Sequence, residues 1–233
     1  MKELQWHRAL IIVSAGEGKR FRGGTLKQFL KLDQRWIVHH ALEAFISTNL
    51  FEQVILALPA SHVQSIRKDL QNKVPSSIRF ETVRGGATRQ ESVEKGLGAI
   101  QSPCNLVLVH DGVRPFPSRK LIESVVEVAQ DQIAAIPVIP VRDTVKQLDK
   151  QGHVLKTIPR EDFWMAQTPQ GFHYTVLKNA HAWGQEKEYK GTDDATLIEK
   201  MGIPVKTVPG EVTNIKITTP EDFELAKRLL QGR

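Results

Sequence analysis

The residues best suited to chemistry in this sequence are basic side chains interleaved with glycine, and carboxylates placed at the ends of apolar runs. Directly after the run Ala9–Val13 comes Ser14-Ala-Gly-Glu-Gly-Lys-Arg-Phe-Arg-Gly-Gly-Thr-Leu-Lys27-Gln. Ser14, Ala15, Gly16 and Gly18 are small enough to let backbone N–H groups approach an anion, and Lys19, Arg20, Arg22 and Lys27 add charge around the same loop. The segment lacks the G-x-x-x-x-G-K-S/T of a P-loop, and Phe21 stands where a dinucleotide fingerprint needs its third glycine. It reads as a phosphate-binding loop of another design, with an ordinary surface turn as the alternative.

A second candidate begins at Gly85-Gly86, just before a helix carrying Arg89 and Ser92. Paired glycines, a helix N-terminus and an arginine suit a base edge, ribose or phosphate; a plain strand–helix turn is the competing reading. A third is His110-Asp111-Gly112-Val113-Arg114-Pro115, after the apolar run Asn105–Val109. A carboxylate at the carboxyl end of a buried strand is placed to hold Mg²⁺ on substrate phosphates, and Arg114 can meet a phosphate with its planar fork. His110 reads as a packed, hydrogen-bonded residue. Further on stand Arg160, Trp164-Met-Ala-Gln-Thr168, Thr192-Asp193-Asp194 and Asn214-Ile-Lys216-Ile-Thr. The two aspartates read as acids in the first turn of a helix. Lys216, in a short β-like run, either faces solvent or reaches a phosphate. No Ser-His-Asp order, reactive-cysteine context or flavin fingerprint competes.

These residues need a scaffold, and the chain alternates short apolar runs with helix-like stretches, the pattern of a parallel α/β sheet. Ala9–Val13, Gln53–Leu58, Arg79–Val83 and Asn105–Val109 follow at βαβ spacing; Ile133–Ile139 continues them, with Pro137 arguing for an edge or an early end. Thr88 to Glu91 fits a capping box, Ser118 caps a stretch with Leu121, Ile122, Val125 and Ala129 on one face, and Thr219-Pro220-Glu221-Asp222 opens a last helix. In such a sheet the first three sites fall at strand ends and converge on one crevice. Asp143–Leu148 and Val154–Ile158, joined by Asp149 to Gly152, read as a hairpin that projects from the sheet, either onto a partner subunit or as a surface excursion.

Composition narrows the classes. The chain has 233 residues, 40% of them hydrophobic and 25% charged, which excludes a mostly disordered chain; without a composition break, a single domain over 1–233 is expected. One cysteine, Cys104, and no Cys/His cluster at zinc spacing point to a reducing cytoplasm. Ala9–Val13 is too short for a membrane span, and Glu3, Trp6 and His7 before it favour a buried strand over a signal-peptide core. The formal net charge of +6 implies an anionic partner: nucleic acid, a membrane surface or a phosphorylated substrate.

Taken in order, the motifs A-G-x-G-x-R (Ala15–Arg20), K-Q-F-L (Lys27–Leu30), G-G-x-x-R-x-x-S-V (Gly85–Val93), H-D-x-x-R-P (His110–Pro115), R-D-T (Arg142–Thr144), R-x-x-x-W-x-A-Q-T-P-Q (Arg160–Gln170), T-D-D-A and N-I-K-I-T-x-P-E-D span nearly the whole chain. In these the sequence resembles the 2-C-methyl-D-erythritol 4-phosphate cytidylyltransferase family of the non-mevalonate isoprenoid pathway. The resemblance implies a Rossmann-like α/β nucleotidyltransferase fold, a mostly parallel central sheet flanked by helices. It also implies a homodimer that exchanges a β-hairpin arm over residues 139–162, and CTP, Mg²⁺ and a polyol phosphate as ligands. By position it implies Arg20, Lys27, Arg160 and Lys216 as catalytic residues, the first two stabilising charge on the triphosphate. Ser14, Ala15, Gly16, Gly18, Gly85, Gly86, Arg89 and Ser92 would hold the nucleotide, and Asp111 the Mg²⁺. Arg114, Thr144, Arg160, Thr168 and Lys216 would position the polyol phosphate.

Three departures stand out: Ser14 where the pattern usually has Ala, Leu26 where it has Pro, and Gly112-Val113 where it has Ala-Ala. The last also varies in ribitol-5-phosphate cytidylyltransferases, which share most of the motifs and keep the polyol open. A basic nucleic-acid-binding module is the alternative of another class. With aromatics at 6%, no stacking motif and no clustered basic run, neither nucleic acid nor membrane is the expected partner. A catalytically dead homologue is disfavoured by intact Arg20, Lys27, Asp111 and Lys216.

Overall fold

A computed structural model describes residues 5–16 and 26–232. The chain opens with β1 (Arg8–Val13), a short pair β2 (Lys31–Leu32) and β3 (Arg35–Trp36), then α1 (Ile37–Ile46) and β4 (Gln53–Leu58). There follow α2 (Val63–Gln71), β5 (Arg79–Arg84), α3 (Arg89–Ala99), β6 (Leu106–Asp111), α4 (Arg119–Gln132) and β7 (Ala134–Pro140). The second half holds β8 (Val145–Leu148), β9 (Val154–Ile158), β10 (Trp164–Ala166) and β11 (Gln170–His173). It ends with α5 (Tyr174–Glu186), α6 (Asp194–Lys200), β12 (Lys206–Pro209) and α7 (Pro220–Gln231).

The main sheet has eight strands in the order β10-β7-β11-β6-β1-β4-β5, with β12 added to β7. β1, β4, β5 and β6 run parallel, as do β7 and β12, while β10 and β11 run against their neighbours. The unbroken apolar strands are explained by period-two alternation between two covered faces. Leu10, Ile12, Val54, Leu56, Leu106 and Leu108 pack with α1, α2 and α4. Ala9, Ile11, Ile55, Val107 and Val109 pack with α3, α5 and α6. A smaller cluster of Leu32, Ile37, Phe116 and Ile217 receives Ala226 of α7.

The chain winds β1→β4→β5 outward on one side and then returns to place β6 on the other side of β1. That reversal makes a crevice beyond the carboxyl ends of β1 and β6, where Val13 lies opposite Asp111.

Two expectations change. Pro137 does not mark an edge: β7 pairs with β10, β11 and β12. The ring falls between the stretch joined to β11, ending at Ala135, and the stretch joined to β10, starting at Val138, so its missing N–H costs no bond on that side. At α3 only half of the capping box forms. Thr88 accepts from the Glu91 N–H, but Glu91 Oε2 reaches back to the Ala87 N–H at 2.9 Å. The complete box is at α7, where Thr219 and Asp222 cap reciprocally behind Pro220.

The hairpin forms as read, with β8 and β9 in a two-stranded sheet of their own and Gly152 at φ +91° in the turn. Three of its apolar residues face outward: Leu148, Val154 and Leu155 are 52%, 58% and 60% exposed.

Candidate active site

The crevice is a cavity of about 170 Å³ lined by Val13, Ser14, Gly16, Lys27, Gln28, Gly86, Ala87, Thr88, Arg89, Ser92, Asp111, Val113 and Lys216. Arg20 and Gly18, together with Lys19 and Arg22, lie outside the described residues.

Each wall has a local reason. After β1 the chain continues the ladder through Ser14, whose N–H donates to the Ala57 carbonyl at 2.8 Å. Gln28, 1% exposed, donates from Nε2 to the carbonyls of Ser14 (2.7 Å) and Gly16 (3.1 Å), tying the glycine-rich loop to the short 3-10 turn Lys27–Phe29. Lys27 thereby faces the cavity while Phe29 enters the core. Leu26, which replaces a proline, holds φ −66°, the angle a proline ring would impose.

On the opposite wall, Gly85 is required by close approach: a Cβ there would lie 2.1 Å from the Ala15 Cβ. Ser92, 1% exposed, accepts from the Gly86 N–H at 3.1 Å and donates to the Thr88 carbonyl at 2.8 Å. Its hydroxyl shapes the loop before α3, leaving the backbone of Gly86–Thr88 at the cavity wall.

Two of the unusual residues explain each other. A Cβ on Gly112 would sit 1.8 Å from Ser14 Oγ. Ser14 and Gly112 are one packing solution: the hydroxyl fills the space that an alanine methyl at 112 would need.

Asp111 is the centre of charge. Its Oδ1 accepts from Arg89 Nε at 3.1 Å, its Oδ2 lies 2.7 Å from Lys216 Nζ, and Arg114 Nε stands 3.8 Å from Oδ2. Burial alone would raise the Asp111 carboxyl, but Arg89 and Lys216, with Arg114, hold it far below the usual carboxylate range. Asp111 is thus an anion. Its N–H donates to Thr168 Oγ1 (3.1 Å), and Thr168 Oγ1 lies 3.0 Å from Nδ1 of the wholly buried His110. His110 Nε2 lies 2.9 Å from the Arg114 carbonyl, which can only accept, so the ring's proton is on Nε2 and Thr168 donates to Nδ1. Burial pushes the His110 pKa down to about 4, keeping the ring neutral.

A profile of the family described as 2-C-methyl-D-erythritol 4-phosphate cytidylyltransferase, IspD, matches residues 8–232. The chain belongs to this family. A curated member from Halalkalibacterium halodurans is 40% identical over 222 residues, covering 95% of this chain and 96% of that one. One from Syntrophus aciditrophicus is 37% identical over 221 residues, covering 95% and 94%. A solved 4-diphosphocytidyl-2C-methyl-D-erythritol synthase from Anaerococcus prevotii superposes with a TM-score of 0.85 at 31% identity, covering 97% of this chain and 99% of that one. The solved family member from Thermus thermophilus gives 0.78 at 37%, covering 95% and 98%.

The family's remaining motif positions do not all meet in the cavity. Arg114, read as a phosphate fork, is 9% exposed and donates from Nη1 to the Asn214 carbonyl at 2.7 Å. Thr168 is likewise buried. Both are struts beneath the cavity in this conformation. Asn214–Thr218 forms no strand; the segment is pinned by Arg114, by Asn214 Nδ2 on the Thr168 carbonyl (2.8 Å) and by the Ile217 N–H on the Val113 carbonyl (2.9 Å). Those bonds present Lys216 to Asp111. Thr144 and Arg160 lie exposed on the arm, where the Arg160 guanidinium donates to the Arg142 carbonyl, and neither lines the cavity.

Two residues were illegible as site residues. Gln28 carries no charge to draw attention. Asp194 is no simple first-turn acid: Asp193 is the N-cap of α6, whereas Asp194 is 1% exposed and 2.7 Å from Arg89 Nη1.

Proposed function

We propose that this chain transfers the cytidylyl group of CTP to 2-C-methyl-D-erythritol 4-phosphate, releasing pyrophosphate and forming 4-diphosphocytidyl-2-C-methyl-D-erythritol. The observation that carries this reading is the meeting of Lys27, Arg89, Lys216 and Asp111 with the loop before α3 in one cavity at the sheet's reversal point. A phosphate oxygen of the polyol forms the new P–O bond at the α-phosphorus of CTP while the bond to pyrophosphate breaks. A phosphate monoester is already anionic, so the site needs cations and oriented donors more than a general base. Lys27 and Lys216 neutralise charge on the phosphates, joined by Arg20 of the glycine-rich loop. The Gly86–Thr88 backbone holds the nucleotide.

Among the described residues no group of three or more His, Cys, Asp or Glu could cage a metal. A metal carried on a triphosphate needs only one or two protein carboxylates, and Asp111 is the one carboxylate among the described lining residues, so the donor set fits Mg²⁺ of that kind. Mg²⁺ held by Asp111 would supply charge neutralisation on the leaving phosphates.

Thr144 and Arg160 act in trans in this reading: a second copy lays its arm, residues 139–162, across the cavity, bringing them to the polyol phosphate. The exposed Leu148, Val154 and Leu155, and Phe163, Trp164 and Met165 beside the arm, each about half exposed, support such an interface. No helix among the described residues is long and apolar enough to cross a membrane, which is compatible with the cytoplasmic setting we assign.

The test is pyrophosphate release from CTP and Mg²⁺ with either polyol phosphate. Release with methylerythritol 4-phosphate is expected; release with ribitol 5-phosphate alone would reassign the polyol. Salt-sensitive nucleic-acid binding without pyrophosphate release would reject the enzyme.

A further inference from the structure

Behind the cavity floor stands a carboxylate that the reaction above does not use. Asp194 is the first residue of α6 and 1% exposed. Its Oδ1 accepts from His181 Nε2 of α5 at 3.0 Å, and its Oδ2 from Arg89 Nη1 at 2.7 Å. His181 is itself 2% exposed, with Glu94 Oε1 of α3 at 3.6 Å from its Nδ1. Burial alone would raise the Asp194 carboxyl, yet Arg89 and His181 hold it below its ordinary range, so it is an anion. The same two carboxylates, Asp194 and Asp111, outweigh burial and raise the Arg89 guanidinium.

Left to itself, an arginine beside a carboxylate favours the two-bond fork, with two parallel N–H donors on the two oxygens. Arg89 does not make that fork with Asp111. Nε alone contacts Asp111, on Oδ1; Nη1, on the opposite edge, is held by Asp194, and Nη2, the donor that would complete a fork with Nε, is buried without a partner among the described residues. Asp111 already faces Lys216 and Arg114. A full Arg89 fork would add a second strong donor and close both of its oxygens.

We propose that Asp194, oriented by His181, is a positioning residue that divides the Arg89 guanidinium between two carboxylates and so keeps Asp111 available to a divalent cation arriving with the nucleotide. The inference deepens the proposed function and rests on its placement of the triphosphate against Asp111. Asp194 touches neither nucleotide nor metal; it acts through Arg89.

The arrangement has an unusual sign. Asp194→Asn removes a negative charge behind a cavity built for an anion, so metal-free CTP gains attraction, while Asp111 becomes clamped and less able to bind Mg²⁺. Titration calorimetry of CTP on the full chain, in EDTA and in Mg²⁺, reads both effects without turnover. In EDTA the variant is expected to bind CTP at least as tightly as the wild type. The factor by which Mg²⁺ strengthens CTP binding is expected to fall at least ~10-fold. Weakening of both measurements together would mean a merely structural role and overturn the proposal, as would no change in either.

Should Asp194→Asn fail to fold, His181 gives the same answer. His181→Gln keeps a donor at the Nε2 position and is expected to retain the Mg²⁺ factor; His181→Leu is expected to lower it. Equal behaviour of the two would overturn the proposal. Because these readouts are binding ratios, a wild-type chain that binds CTP with a Mg²⁺ factor but releases no pyrophosphate would reject the reaction and leave the positioning role standing.

Discussion

The cavity and the arm are opposite kinds of structure in one chain. At the cavity, Asp111 has partners on α3 and on the loops that carry Thr168 and Lys216, and Gln28, Asn214 and Thr168 fix the backbone around it. On the arm, Thr144 and Arg160 project from a two-stranded sheet whose Leu148, Val154 and Leu155 face outward. The first region is preorganised by its own fold. The second has the residue types of a site without the surroundings of one. A group that is to stabilise charge in a transition state must be rigid before the substrate arrives, whereas a group supplied from another copy gains its surroundings on assembly.

The largest effect that sharpens this contrast is at Lys27. Replacing it with alanine removes one preorganised donor and is expected to lower turnover at least ~10²-fold, measured as pyrophosphate release at saturating CTP. Near-normal turnover would break the reading of the cavity. Arg160→Ala tests the arm, with an expected loss of at least ~10-fold in kcat/KM for the polyol phosphate. The two variants then test each other. If arm and cavity come from different copies, a refolded equimolar mixture has half of its dimers mixed, each with one competent site. Roughly a quarter of the wild-type rate is expected from two nearly inactive proteins. No recovery in a mixture shown to exchange subunits would place arm and cavity in the same copy.

How much of this was readable beforehand follows from the range of the interactions. The four parallel strands and the cap at Thr219 are local patterns, and they form where expected. Glycine next to basic residues marked the cavity for the same reason. Pro137 misled because its tolerance depends on a gap between β10 and β11, which no local rule displays. Lys216 looked like part of a strand because Ile215, Ile217 and Thr218 favour extended backbone, while its true support comes from Arg114, 100 positions from Asn214. Asp194 was the deepest loss: an aspartate in a helix's first turn looks the same whether it meets water or an arginine 105 positions earlier.

The neutral His110 offers a test of the cavity floor that leaves the arm untouched. Its folded pKa of about 4 lies below the ordinary 6.5, so the unfolded chain binds the extra proton first as pH falls. Stability from this group is complete above pH 6.5 and is lost progressively between there and about 4, amounting to about 3 kcal/mol at most. His39, also lowered to about 4 mainly by burial, adds a loss of the same sign in the same window. Urea unfolding at several pH values in wild type and His110→Gln is expected to show a shallower pH dependence in the variant. Identical slopes would mean that His110 is not a neutral, enclosed group.

The smallest effect concerns the pair that shapes the cavity's floor without carrying charge. Gly112→Ala places a methyl within 1.8 Å of Ser14 Oγ and 3.0 Å of Ile12 Cγ2. The hydroxyl must turn away or β6 must shift, at a cost of about 1–2 kcal/mol. Ser14→Ala alone is expected to be nearly neutral, since Ser14 Oγ is buried without a hydrogen-bond partner among the described residues. Together the two changes exchange one filling of the same space for another, and the double variant is expected to recover most of the loss. A coupling of at least ~0.5 kcal/mol in the four-variant cycle is therefore expected. Strict additivity would separate Ser14 from Gly112 and leave two independent substitutions where the geometry shows one. Arg160→Ala in the same background is expected to add its effect independently, because nothing among the described residues of a single copy connects the arm to this floor.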